Sequence, residues 1–142
     1  MKLHKPKGKN RWCGPNAISI VVGCSTDEAA GMIRMYTGRK QVTGTHLHEL
    51  ERVLKHYGYV LQLSADFEQL HIKGRPTLAA WLKLTKQLRT TGRVFLVSAG
   101  HHWQIISGRR FVDGIVREPI SIRSTMAGRR RRVKAVHEVV KA

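Results

Sequence analysis

The sequence predicts an α+β domain, with helices in the first part of the chain packed on an antiparallel sheet formed by the second. Two observations carry this expectation. Up to about residue 90, apolar side chains recur at three- and four-residue spacing between glycine stops, whereas from Val94 onward they fall in short continuous or alternating runs. The later runs are also joined by tight-turn chemistry, as at Ser107-Gly108-Arg109, which suits hairpins rather than long crossovers. With 142 residues the chain makes one domain with a core of its own. Residues 1–12 read as a basic extended arm, residues 13–142 as the domain, and residues 129–142 as its basic C-terminal segment.

The elements follow in order. A first helix runs from about Gly14 to Val22 with Ile18, Val21 and Val22 on one face, and Pro15 sits in the first turn, where its missing N–H costs nothing. Gly23 ends it. Ser25 or Thr26 caps a second helix with Asp27 and Glu28 in its first turn, an apolar stripe of Ala29, Met32, Ile33 and Tyr36, and a stop at Thr37-Gly38. Thr45 caps a third carrying Leu47, Leu50, Leu54 and Tyr57, ended by Gly58. Tyr59 to Leu63 is a short strand. Pro76-Thr77 opens a fourth helix with Leu78, Trp81, Leu82 and Leu88 inward and Gly92 as its stop. Val94-Phe95-Leu96-Val97 has the unbroken apolar character of a central strand. His102 to Ile106 and Arg110 to Asp113 form a hairpin, Ile120 to Arg123 adds a strand, and Val133 to Val140 is the last.

Lys and Arg number 26 against 9 Asp and Glu, a formal net charge of +17. Such an excess implies a polyanionic partner: nucleic acid first, or an anionic membrane face or an acidic protein. Lys5, Lys7, Lys9 and Arg11 alternate, so an extended arm presents all four on one side, and Arg129, Arg130, Arg131 and Arg132 run unbroken. These patches suit phosphate contact without base readout, because no helix-turn-helix, zinc-finger or RNA-recognition signature accompanies them. No apolar stretch is long enough for a membrane span, and the basic N-terminus lacks the features of a secretory signal, which places the protein in the cytoplasm or in a virion. The eight histidines show no metal-ligand spacing: His46 and His48 face different sides of a helix, and His48 and His56 lie two turns apart. No metal or cofactor is expected.

Cys13 and Cys24 flank the first helix at about 15 Å, too far for a disulfide, which needs Cα atoms about 4.4–6.8 Å apart. Both are expected as free thiols. Cys24 lies among apolar residues and reads as a small buried hydrophobe. Cys13 stands at the amino end of a helix, where partial positive charge favours thiolate. A thiolate nucleophile needs a base, and His102 begins a sheet strand, with Asp113 on the neighbouring strand placed to orient its ring.

Trp12-Cys13-Gly14-Pro15-Asn16-Ala17 resembles the nucleophile helix of papain-like cysteine peptidases, most closely the bacteriocin-leader peptidases and their relatives. Gly100-His101-His102-Trp103-Gln104-Ile105-Ile106 resembles their histidine strand, and Phe111-Val112-Asp113-Gly114 the strand bearing their acidic residue. The likeness spans about residues 7–114. It implies a papain-like fold and a cofactor-free thiol hydrolase acting on a peptide or isopeptide bond, with Cys13 as nucleophile, His102 as base and Asp113 as orienter. His101 is the alternative base, but its side chain alternates to the other sheet face.

One position departs from the pattern. The family carries a glutamine six residues before its cysteine as an oxyanion donor. That position holds Lys7 here, with Asn10 as a second candidate. Loss of one such donor typically costs about 10²–10³ in rate. The departure, with the charge, makes a catalytically retired papain-like domain the alternative: a basic structural or nucleic-acid-binding protein, such as a virus or phage component.

Overall fold

The computed structural model of the chain describes residues 3–8, 13–42, 44–63, 75–86, 89, 92–100, 102–113, 116–124 and 127–142. Among these, α1 (Cys13–Val22), α2 (Thr26–Thr37), α3 (Leu47–His56) and α4 (Leu78–Leu84) accompany six strands. The strands are β1 (Tyr59–Leu63), β2 (Val94–Ala99), β3 (His102–Ser107), β4 (Arg110–Val112), β5 (Ile120–Ser121) and β6 (Val133–Lys141). All pair antiparallel in the order β1-β6-β2-β3-β4-β5. The class is α+β, and the N-terminal helices pack on the sheet. No helix of the described residues is long and apolar enough to cross a membrane.

Alternation along the strands divides the core in two. On one face Leu96, Ile105 and Val112 meet Ile18, Ile33 and Leu50 of α1, α2 and α3. On the other, Phe95, Ile106, Phe111 and Val136 meet Leu78 and Trp81 of α4, with the Trp81 and Phe95 rings edge to face at 5.7 Å. Buried Arg89 fastens this second layer. Its Nη2 donates to the Leu82 carbonyl at 2.8 Å, its Nε to Thr85 Oγ1 at 3.1 Å, and its Nη1 to the Gly108 carbonyl of the β3–β4 turn.

The helix starts follow capping chemistry. Ser25 Oγ accepts from the Glu28 N–H at 3.0 Å, and Gly38 closes α2 at φ 71°, a left-handed conformation that suits glycine. Four expectations need correction. The α3 cap is His46 rather than Thr45, with the His46 N–H bonded to Glu49 at 2.8 Å. Because His46 then lies outside the helix, its ring stacks on His48 at 5.6 Å instead of facing away. α4 ends at Leu84, where Thr85 Oγ1 bonds back to the Trp81 carbonyl at 2.7 Å, and Leu88 lies outside the described residues. The strand expected over Ile120 to Arg123 is formed by Ile120 and Ser121 alone.

α1 is also buried more completely than a one-sided stripe implies: Gly14 through Val21 are all buried. The sheet, α2 and α3 enclose it, and residues 3–8 close the remaining side. The His4 N–H donates to the Ile20 carbonyl at 2.9 Å, the Thr26 N–H to the Lys7 carbonyl at 2.7 Å, and the Lys7 N–H to Ser19 Oγ at 3.0 Å. Arg117 donates to the Gly8 carbonyl at 2.8 Å. This part of the segment expected as an arm is therefore fastened to the domain, and Lys5 lies 3.6 Å from Glu118.

Candidate active site

Cys13 opens α1, so its side chain stands at the amino end of the helix. His102 is the first residue of β3. Across the β3–β4 hairpin, Ile105 pairs with Val112 and Ile106 with Phe111. Continuing this register sets Asp113 diagonally from His102 on the same sheet face, within reach of a long side chain. Helix end and hairpin thus bring together three side chains from distant parts of the chain.

Cys13 Sγ lies 3.1 Å from His102 Nδ1, and His102 Nε2 lies 2.8 Å from Asp113 Oδ2. The other carboxylate oxygen, Oδ1, accepts the Val116 N–H at 2.6 Å. Asp113 is 1% exposed, which strengthens its field at the ring. The hydrogen bond that the ring donates to Asp113, then that with Cys13, pushes the His102 pKa up to about 9 against the opposing effect of burial. The hydrogen bond from His102 draws the Cys13 thiol below its ordinary value; burial opposes this, and the Trp103 backbone N–H adds to it. Both shifts favour thiolate beside imidazolium, with the ring donating from Nδ1 to sulfur and from Nε2 to the carboxylate.

Cys24 is the internal contrast. Burial and then the nearby Glu28 carboxylate push its thiol up to about 11. Both cysteines are free, and the two thiols are shifted in opposite directions.

Gly14 has a packing reason for following the nucleophile. A Cβ there would lie 2.2 Å from Thr45 Oγ1 and 2.6 Å from Thr45 Cβ. Thr45, expected as a helix cap, is instead the stop against which the amino end of α1 rests. Gly14→Ala should destabilise the fold by about 1–3 kcal/mol in urea unfolding and slow alkylation of Cys13 by displacing it from His102. Thr45→Gly in the same protein should restore part of both; no recovery would place the cost elsewhere.

The oxyanion candidates fall differently. Lys7 is held by its backbone at Ser19 and Thr26, and Ser19 is about 9 Å along the α1 axis from Cys13. Nothing in these contacts turns its exposed ammonium toward the sulfur. Asn10 lies outside the described residues, as do Lys9, Arg11, Trp12 and His101. Of the remaining cationic residues, Arg129, Arg130 and Arg132 are exposed and Arg131 is half-buried.

Sequence reading passed over two contributors to this site, Trp103 and Val116, whose backbone N–H groups serve Cys13 and Asp113. Any residue type can supply such a group, so composition carries no signal for it. Among the described residues no cluster of three or more His, Cys, Asp or Glu side chains is placed to hold a metal ion. A cavity of about 260 Å³ lies apart from the thiol, between α2 and α3, and is lined by Tyr36, Arg39, His46, His48, Glu49 and Arg52. Its Arg39 is committed to both Glu49 oxygens, at 2.8 and 2.9 Å. No protein-family model, curated protein or solved structure matches this chain.

Proposed function

We propose that the protein is a papain-like thiol hydrolase that cleaves a peptide or isopeptide bond. The observation that supports this reading is the unbroken Cys13–His102–Asp113 chain of contacts, with sulfur at the amino end of a helix and the carboxylate buried. The Cys13 thiolate attacks the carbonyl carbon, and charge developing on oxygen is met by the Cys13 N–H. His102 gives its Nδ1 proton to the leaving amine as the C–N bond breaks, leaving a thioester on Cys13. His102 then takes a proton from water, the hydroxide displaces the acid, and the thiolate–imidazolium pair returns. Asp113 fixes the ring and stabilises its charge throughout.

Alkylation tests this without a known substrate. At neutral pH iodoacetamide should modify Cys13 at least about tenfold faster than Cys24, read by peptide mapping. His102→Ala should remove the advantage, because the main cause of the lowered thiol pKa is gone while burial remains. Labelling of Cys13 no faster than a model thiol would overturn the hydrolase and leave a basic binding protein on the same fold, the reading that the unmatched Lys7 position favours.

A further inference from the structure

We propose that arginines 129–132 form a docking rim beside the thiol site and that they select substrates whose cleavable bond is flanked by acidic residues; this substrate class rests on the hydrolase reading above. The run is held in place by its backbone. The Ala79 and Leu78 N–H groups donate to the Arg129 and Arg131 carbonyls, each at 2.8 Å, and the Val133 N–H donates to the Pro76 carbonyl at 2.8 Å. The amino end of α4 is thereby satisfied by the run's carbonyls, and the side chains of Arg129, Arg130 and Arg132 are left exposed. Arg132 also reaches the Arg75 carbonyl at 2.9 Å, which brings a further exposed arginine alongside.

Arg131 links this rim to the site. Its stem crosses Gly100 so closely that a Cβ there would lie 3.0 Å from Arg131 Cδ, and its guanidinium end rests over Gly128, where a Cβ would lie 2.8 Å from Nε. Gly100 precedes His102 by two residues in the β2–β3 turn. From the other side, Gln104, one pleat repeat or about 7 Å beyond His102 on the same face, donates to the Ala127 carbonyl at 2.8 Å. The arginine turn is thus moored at both ends to the strand that carries His102.

Among the described residues, no acid compensates the charge of the rim. Residues 75–86 and 119–137 contain no Asp or Glu. Asp113, just past β4, is committed to His102 and Val116. Elsewhere cations have acidic neighbours: Lys5 with Glu118, Arg39 with Glu49, Arg93 with Glu138. Four adjacent arginines on a fixed backbone repel one another until an anion arrives, and their planar forks match carboxylate geometry. A peptide is favoured over nucleic acid by position. The run is moored to Gly100 and Gln104, each two residues from His102, whereas a long phosphate track would call on the N-terminal segment, whose Lys5 already faces Glu118.

The test uses full-length Cys13→Ala protein and fluorescence anisotropy with three probes at low and high salt: a glutamate-rich peptide, its glutamine counterpart, and a duplex DNA. The acidic peptide should bind at least about tenfold tighter than the neutral one at low salt, with the preference shrinking as salt rises. Arg129→Gln, Arg130→Gln and Arg132→Gln together should weaken acidic-peptide binding roughly tenfold; Arg131 is kept because its stem is packed. In Cys13-intact protein, cleavage should favour the acidic-flanked peptide through KM. Equal binding of acidic and neutral peptides, or no loss on removing three arginines, overturns the rim. So does duplex DNA that binds more tightly than the acidic peptide through the same arginines. Alkylation of Cys13 reports on the hydrolase reading separately. Fast alkylation with equal peptide binding overturns the rim alone. Slow alkylation with selective binding overturns the hydrolase and leaves an acidic-peptide binding surface.

Discussion

Replacing Cys13 by alanine should lower hydrolysis of any peptide the protein cleaves by at least about 10⁴-fold, because the thioester forms on this sulfur, the one beside His102. The fold should survive. Cys13 is only half-buried and its sulfur contacts His102 at 3.1 Å, so the substitution removes one polarised contact at the mouth of the site and little core volume. Cys13→Ser should be nearly as inactive, since a hydroxyl at this position ionises far less readily than a thiol drawn down by His102. A thermal melt within a few degrees of wild type, with turnover at background, is the expected pair of results. Turnover unchanged in Cys13→Ala would place any hydrolysis elsewhere in the molecule.

Much of the local structure was legible in the sequence because it rests on short-range chemistry. Ser25 and Gly38 bound α2 through their own side-chain and backbone preferences, and the β3–β4 hairpin follows from two apolar runs around Gly108. That hairpin is what places Asp113 diagonally from His102, so the acid–base half of the candidate site could be anticipated from strand alternation. The other half, the approach of Cys13 to His102 across 89 residues of chain, came from resemblance and from helix-end electrostatics rather than from spacing.

The non-local features were not legible. β6, last in sequence, inserts between β1 and β2, a choice made by competition among apolar strands that no local pattern encodes. Thr45 has the chemistry of a cap, yet its side chain packs on Gly14 and the cap falls to His46. The alternation of Lys5 and Lys7 suggested one cationic face of a free arm, whereas buried Pro6 and hydrogen bonds to Ser19 and Thr26 lay that segment along α1. The arginine run read only as a basic phosphate-contacting segment, and nothing local in it showed that its carbonyls cap α4.

Asp113→Asn should be the most informative single change, because it alters charge with almost no change in shape. In the native protein the alkaline limit of activity should fall near pH 9, where His102 loses its proton and can no longer protonate a leaving amine. The acidic limit is set by the lowered Cys13 pKa, below which the nucleophile becomes thiol. The amide would remove the largest cause of the raised His102 pKa, so the alkaline limb should move to lower pH. It would also weaken the imidazolium that holds the thiolate, so the acidic limb should move to higher pH. The active window then narrows from both sides. Hydrogen-bond direction adds a second effect: the Val116 N–H, 2.6 Å from Oδ1, requires an oxygen at that position, which turns the new NH₂ group toward His102 Nε2. Two donors then face each other if the ring is protonated, which favours neutral imidazole with its proton on Nδ1, facing sulfur, where it can no longer accept one from the thiol. A carboxylate-to-amide change with this outcome costs about 10⁴ in kcat in a catalytic triad. The measurement is a pH series of single-turnover cleavage and of Cys13 alkylation for wild type and Asp113→Asn. A loss below about tenfold with both limbs unmoved would show that Asp113 holds the hairpin rather than the charge on His102.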